Sequence, residues 1–220
     1  MLNSHRIVPL VDLWLNNPDN EGEVRIGRIV NGSFQSGISK GDFDTMYWRL
    51  RKYANLYPAE MKLVMDKVKV VDSYYVNPAG QQVRVREYVD SKRPEEVSII
   101  NTVKNLDVCT DGPYGMRFAI KSETKCDDDA KMNIERGAPT VTRGKTLYVF
   151  QYICSGGVYK YELCEVVQVG TDTKEGHEAE IEAQRGTTKN PMPYLQAAGS
   201  AMIASVRANY KQAPMITRVI

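Results

Sequence analysis

Polar and apolar residues alternate with a period of two along most of the chain. Seven segments rich in β-branched and aromatic residues show this alternation, and Gly, Asn, Asp or Pro residues separate them. Because successive side chains of a strand point to opposite faces of a sheet, each segment predicts a strand with one polar and one apolar face. The seven segments are residues 23–29, 62–76, 81–89, 115–123, 145–153, 158–169 and 177–183.

Helical spacing is found in three other segments. After the candidate caps Ser39 and Asp42, apolar residues recur at i, i+3, i+4 and i+7 over residues 43–54. An Ala- and Met-rich segment at about 194–211 predicts a C-terminal helix, and residues 9–15 predict a short N-terminal one. Seven or more strands with two or three helices indicate an antiparallel α+β or closed-sheet architecture.

The composition indicates a single globular domain. The chain has 220 residues, of which 42% are hydrophobic and 25% charged, which excludes collagen-like, disordered and membrane-spanning proteins. No internal repeat and no low-complexity linker divides it. We therefore predict one mostly β domain over residues 1–220, with its core at about 21–185 and residues 1–20 as a flanking segment.

The charge balance restricts the classes of ligand. Lys and Arg together number 29 and Asp and Glu 27, so the net charge is only +2. A protein that coats nucleic acid non-specifically would have a large positive excess, so a polyanion would have to be bound by segregated charges. Four cysteines without C-x-x-C spacing and two histidines exclude a zinc knuckle and a multi-histidine site, which leaves oxygen ligands for any metal.

Glutamates line up on one face of the first and last predicted strands. Glu21 and Glu23 share a face near the N-terminus, and Glu178, Glu180 and Glu182 share a face near the C-terminus. Like charges at neighbouring positions repel each other unless water or a cation screens them. A divalent metal site is one interpretation, and a helix over this C-terminal segment with solvated glutamates is the other.

Basic residues show the same two-sided pattern on the intervening strands. One arrangement that uses both sets is a barrel whose charged faces point inward, with an acidic wall for a metal and a basic wall for phosphate oxygens. The alternative is the ordinary antiparallel sheet, whose charged face meets water. The charged residues on these faces are Arg84 and Arg86, then Arg117, Lys121 and Glu123, and then Arg143 and Lys145.

The order of these motifs resembles that of a known enzyme family. Glu21, Glu23, Arg25 and Gly27 open the series, and Val83–Val85, Arg117–Glu123, Arg143–Lys145, Tyr161–Val166 and Glu178–Glu182 follow. Over about residues 21–185 this order resembles the triphosphate tunnel metalloenzymes, in particular the RNA 5′-triphosphatases of fungi, protozoa and large DNA viruses that begin mRNA cap synthesis.

The resemblance implies a closed antiparallel eight-stranded tunnel with a charged interior, a few flanking helices, and a Mg²⁺ or Mn²⁺ ion. The implied metal ligands are Glu21, Glu23 and Glu182, with Glu178 completing the acidic motif. The implied catalytic residues are Glu123 and Glu180, which hold and activate the attacking water, together with Arg117, Arg143 and Lys145. The expected substrate-binding residues are Arg84, Arg86, Lys104, Arg117, Lys121, Arg143, Lys145 and Glu162.

The sequence departs from the family pattern at three places. Relatives have three alternating basic residues on the strand of Arg143 and Lys145, whereas a flanking position, Val141 or Leu147, is apolar here. Lys104 is the best match for a lysine that the family has between Arg84 and Arg117. Cys164 stands where threonine is commoner.

The expected activity is metal-dependent hydrolysis of the γ-phosphate of 5′-triphosphate RNA. A tunnel phosphatase for inorganic triphosphate, polyphosphate or free nucleotides is the alternative enzyme. A barrel without activity, which binds an anion or a partner through solvent-facing charges, is the third hypothesis.

Partners and location follow from these expectations. An RNA guanylyltransferase, as a separate chain or a following domain, would take the product, and the C-terminal helix is a candidate homodimer contact. The sequence lacks a stretch of about 20 apolar residues and the pattern of a signal peptide. We therefore expect an intracellular protein without a membrane partner, located in the nucleus if cellular and in the cytoplasm or virion if viral.

Overall fold

Nine antiparallel strands and three helices make up the part of the chain that the computed structural model describes. That part is residues 4–17, 20–89, 91–110, 112–126, 138–155, 157–169, 174–184 and 190–210. The helices are α1 (Ser4–Asn16), α2 (Lys40–Leu56) and α3 (Met192–Tyr210). The strands are β1 (Asn20–Val30), β2 (Ser33–Ser36), β3 (Met61–Val76), β4 (Gln82–Tyr88), β5 (Glu96–Val108), β6 (Gly115–Lys125), β7 (Val141–Cys154), β8 (Gly157–Val169) and β9 (Lys174–Ala183).

Eight of the strands close into a barrel. Their order is β1-β6-β5-β4-β3-β7-β8-β9, and β9 pairs with β1 to complete the ring. The short strand β2 adds to the outer edge of β1 as a hairpin. The expected closed antiparallel eight-stranded barrel is therefore confirmed, and the segment with Glu178, Glu180 and Glu182 is a strand, not a helix.

The apolar faces of the strands form a core outside the barrel. Side chains such as Val24 and Ile26 of β1 and Ile181 of β9 are fully buried there, beneath the helices. Helix α3 packs on β1 and β9 and contributes Leu195 and Met202 to the same cluster. Where the outward face is buried, as it is by α3 on β1 and β9, the charged residues that alternate with it are turned into the barrel.

A glycine of the opening motif has a steric role. A Cβ atom at Gly27 would collide with the carbonyl oxygen of Gln35 and the ring of Phe34. Glycine therefore lets β2 fold closely against β1.

A second apolar cluster lies inside the barrel. Leu147 and Cys164 are cross-strand partners on β7 and β8, and Val166 is the partner of Lys145, which lines the interior. Cross-strand partners share a face, so these apolar residues point inward and fill part of the barrel beside its charged residues.

The N-terminus of α2 is tied to the strand β6. Ser39 caps the helix by accepting a hydrogen bond from the Asp42 amide at 3.2 Å. The buried Tyr114 hydroxyl donates to the Asp42 carboxylate at 2.5 Å and accepts from the Ser39 amide at 2.9 Å. Of the two predicted caps, Ser39 is the N-cap, whereas Asp42 lies in the first turn of the helix and binds the hydroxyls of Ser39 and Tyr114. None of the described helices is both long and apolar enough to cross a membrane.

Replacing Tyr114 by phenylalanine is expected to lower the free energy of unfolding by about 1–3 kcal/mol. The ring still fills its site, but the buried Asp42 carboxylate loses a donor and the Ser39 amide loses its acceptor. Urea unfolding would measure the change. Tyr57→Phe is the matched control because Tyr57 is 49% exposed, and its effect should stay within about 0.5 kcal/mol. Equal stabilities of the two variants would contradict this role for Tyr114.

Candidate active site inside the barrel

The barrel encloses a charged cavity of about 540 Å³. Each predicted site residue except Lys104 lines it, so the hypothesis of solvent-facing charged strands is wrong. Eight carboxylates and eight cations take part. The carboxylates are Glu21, Glu23, Glu96, Glu123, Glu162, Glu178, Glu180 and Glu182, and the cations are Arg25, Arg84, Arg86, Arg117, Lys121, Arg143, Lys145 and Lys160.

Lys104 is placed outside the cavity by a β-bulge. The pairing of β5 with β6 shifts register between Thr102 and Lys104, so Thr102 and Asn105 line the cavity instead. Lys104 is exposed and is the cross-strand partner of Ile120, whose side chain belongs to the outer core. The prediction that Lys104 binds substrate therefore does not agree with its position.

The acidic wall is formed where β1 meets β9. Glu23 is the cross-strand partner of Glu182, and Arg25 is the partner of Glu180. Arg25 contacts Glu23 through Nε and Glu180 through Nη2, both at 3.0 Å. Burial alone would raise the pKa of Glu180, but Arg25 and nearby lysines outweigh it and lower that pKa to about 2. Glu180 is therefore ionised at neutral pH.

Each of the two paired glutamates of this wall also holds a lysine. Lys121 Nζ lies 2.6 Å from Glu23 Oε1. Lys160 contacts Glu182 directly and lies 3.6 Å from Glu162 Oε2. Burial lowers the pKa of Lys160, but Glu182 and Glu162 outweigh it and raise that pKa, whereas burial raises the pKa of Glu182. Lys160 therefore stays charged.

The basic wall is organised around Asp72, whose side chain is fully buried. Arg86 donates two hydrogen bonds to its carboxylate, at 2.6 and 2.8 Å, and Lys145 Nζ lies 3.0 Å away. Burial would raise the pKa of Asp72, but Arg86 and Lys145 outweigh it and hold that pKa well below its usual range. One carboxylate thus fixes two cations of the predicted substrate site.

Arg84 and Arg143 each have one acidic partner in the described part of the chain. Arg84 contacts Glu123, and Arg143 lies 3.9 Å from Glu178. The buried Nε atoms of Arg84 and Arg143 have no hydrogen-bond partner among the described residues. Unpaired buried donors are costly, so these atoms favour an incoming oxyanion.

Arg117 is held from two sides. It donates to Asp107 at 2.7 and 2.9 Å, and its guanidinium lies 4.7 Å from the centroid of the Phe34 ring. Glu123 and Glu180, predicted to share the attacking water, line the same cavity but contact different arginines.

Four charged residues of the site were not among the predicted site residues: Arg25, Glu96, Asp72 and Lys160. Asp72 shares the inward face of β3 with Tyr74, and Lys160 shares the inward face of β8 with Glu162. That alternation is the signal that could have found Asp72 and Lys160. Val141 and Leu147 both line the cavity, so β7 has only two inward cations, and Lys160 on the adjacent β8 adds another.

The carboxylates fit a divalent cation by their chemistry, since Mg²⁺ and Mn²⁺ prefer oxygen ligands. Glu23 and Glu182 are cross-strand neighbours, with Glu21 and Glu180 nearby on the same two strands. Across the described ranges, however, no three acidic, His or Cys side chains converge closely enough to hold an ion. Lysines contact the glutamates instead, so the ligand set is present but its side chains would have to turn.

Comparison with solved structures identifies proteins of the same fold. No family model matches the sequence, and no curated protein matches it. Among solved structures, the Pct1 RNA triphosphatase of S. pombe aligns at 16% identity with a TM-score of 0.63, over 96% of this chain and 90% of that one. The Mimivirus capping enzyme triphosphatase aligns at 11% identity and 0.59, over 92% and 96%. The chain has the fold of these RNA triphosphatases.

The RNA triphosphatase fold confirms the expected architecture. A third structure, of S. pombe Pct1 in complex with the Spt5 CTD, aligns at 15% identity with a TM-score of 0.64, over 94% of this chain and 93% of that one. At such identities the likeness concerns the fold, and the function depends on the residues that line the cavity.

Proposed function

We propose that the protein is a metal-dependent RNA 5′-triphosphatase. It would hydrolyse the γ-phosphate of 5′-triphosphate RNA and leave a 5′-diphosphate end, the first step of mRNA cap formation. The observation that supports this most is the enclosed cavity, whose facing acidic and basic walls lie in the RNA triphosphatase fold. A cation and a polyanion are the ligands that such walls can bind together.

The cations of the basic wall would bind the triphosphate. The unpaired Nε atoms of Arg84 and Arg143 can donate to phosphate oxygens, and Lys145 adds a buried positive charge. Inside the barrel, where water is partly excluded, each of these contacts is stronger than in bulk solution. Their positions are held by carboxylates before the substrate arrives, so little reorganisation is needed.

The acidic wall, together with Glu123 of β6, would hold the attacking water and the metal. Phosphoryl transfer needs a nucleophile in line with the leaving group and positive charge beside the phosphoryl oxygens. It needs little covalent chemistry from the protein. Glu180 and Glu123, as carboxylates, can orient a water and accept its proton. Glu21, Glu23 and Glu182, with Glu178 beside them, would hold a Mg²⁺ or Mn²⁺ ion. When bound there, a divalent cation supplies positive charge for the γ-phosphoryl oxygens.

Hydrolysis of inorganic triphosphate, polyphosphate or free nucleotides is the second candidate. The lining consists mainly of charged side chains, which recognise phosphate oxygens regardless of the group attached to them. An RNA substrate would leave a product for an RNA guanylyltransferase, which we propose as the partner, either as a separate chain or as a following domain.

We expect the purified protein to release phosphate from triphosphate-ended RNA only when Mg²⁺ or Mn²⁺ is present. Phosphate release should be compared on triphosphate-ended RNA, ATP and tripolyphosphate, with each metal in turn and with a chelator. Preference for RNA over the other two substrates supports the capping function, and preference for tripolyphosphate supports the second candidate. No release from any of them in either metal would overturn both.

A further inference from the structure

Two lysines lie where the proposed metal ion would bind. Lys121 contacts Glu23, Lys160 contacts Glu182, and the two glutamates are cross-strand partners. The four side chains therefore form one cluster with alternating charge. Glu23 is 7% exposed and Glu182 13%, so water screens these charges poorly.

The two ammonium groups occupy carboxylate oxygens that a metal ion would need. Lys121 Nζ lies 2.6 Å from Glu23 Oε1, and Lys160 Nζ contacts Oε2 of Glu182. A divalent cation placed beside ammonium groups in a nearly buried site is repelled by them, since little water screens the charges. Binding of the ion at these oxygens therefore requires the ammonium groups to leave.

The released ammonium groups would need new negative partners in the same cavity. Lys160 has Glu162 at 3.6 Å, and Lys121 is the cross-strand partner of Glu21. Two positive charges freed into a cavity that holds six other cations would favour a polyanion there.

We propose that Lys121 and Lys160 are exchangeable counterions of the metal site, which hold Glu23 and Glu182 until a divalent cation displaces them and which then bind the anionic substrate. This inference rests on the proposed function, since it explains how one cavity takes up metal and triphosphate together. By linkage, bound metal strengthens anion binding and a bound anion strengthens metal binding by the same factor.

Mn²⁺ titration by calorimetry, with the full chain, tests the proposal directly. Lys121→Met and Lys160→Met remove the competing charge, so each should bind Mn²⁺ roughly tenfold more tightly than the unaltered protein in the absence of anions. Lys69→Met is the matched control, because Lys69 is exposed on β3 and does not line the cavity, and its affinity should change less than about twofold. Lys160→Arg keeps the charge and should restore weaker binding.

Sulfate, a tetrahedral anion, is the probe for coupling between metal binding and anion binding. It should tighten Mn²⁺ binding to the unaltered protein and do so much less in Lys121→Met and Lys160→Met. Equal or weaker Mn²⁺ affinity in both methionine variants would overturn the proposal, as would full sulfate coupling in both. Lys160→Gln replaces Lys160→Met if that variant does not fold, which circular dichroism would show.

Calorimetry measures metal affinity without turnover. The exchange of counterions and the proposed enzymatic function can therefore be contradicted independently of each other. Tighter Mn²⁺ binding in the variants without phosphate release from any substrate would remove the proposed function and keep the exchange of counterions. Phosphate release together with unchanged Mn²⁺ affinity in the variants would keep the proposed function and remove the exchange of counterions.

Discussion

Replacing Glu182 by glutamine is expected to lower metal-dependent phosphate release by about 100- to 1000-fold. Glutamine has nearly the same shape, so the barrel should stay folded. The substitution removes one negative charge from the cluster of Glu23 and Glu182, where that charge would attract the ion. The value of kcat/KM on the best substrate, together with Mn²⁺ affinity, would measure the loss.

The matched control for Glu182→Gln is Glu87→Gln. Glu87 is exposed on β4 and does not line the cavity, so its activity should stay within about twofold of the unaltered protein. Glu21→Ala should lose activity as Glu182→Gln does if Glu21 is a ligand. Full activity in either Glu182→Gln or Glu21→Ala would remove the metal assignment.

The alternation of charged and apolar residues along the strands indicated most of the charged residues that line the cavity. Glu178, Glu180 and Glu182 alternate with small or apolar residues, and a period of two fixes that they share a face. The helices bury the opposite face, as the apolar residues between the charges indicate. Local sequence therefore determined which residues share a face, but it left two directions open for the charged faces, into a barrel or toward water.

Local sequence did not predict the strand β5 or the position of Lys104. Asn101, Asn105 and Asp107 are residue types that strands disfavour, and they interrupt the apolar alternation. The bulge between Thr102 and Lys104 then reverses which residues face inward. A bulge depends on pairing with β6, which no local pattern shows.

The partners of the charged residues also could not be read from the sequence. Glu23 and Glu182 meet because β1 closes the ring against β9, more than 150 positions later in the chain. Asp72 is one of two acids in a mostly apolar strand, and only the register with β4 and β7 brings it to Arg86 and Lys145. The contacts of such residues can be predicted only from the closed barrel and not from local sequence.

Replacing Asp72 by asparagine is expected to lower the free energy of unfolding by about 3–5 kcal/mol. The amide cannot neutralise Arg86 and Lys145, so two nearly buried cations lose their counterion. Asp66→Asn is the matched control on the same strand. Asp66 pairs with Arg51 at 2.8 Å, but that pair is about one-third exposed, so its loss should cost at most about 1 kcal/mol.

The pH dependence of unfolding separates an ionic role of Asp72 from a purely steric one. Because the pKa of Asp72 is lower in the folded protein than in the unfolded chain, its ionisation stabilises the fold above the ordinary carboxyl pKa. That stabilisation is lost as the pH falls toward the lowered folded pKa. The stability difference between the unaltered protein and Asp72→Asn should therefore be largest near neutral pH and shrink below about pH 4. Urea unfolding at several pH values would measure it, and a difference independent of pH would show that Asp72 acts through packing alone.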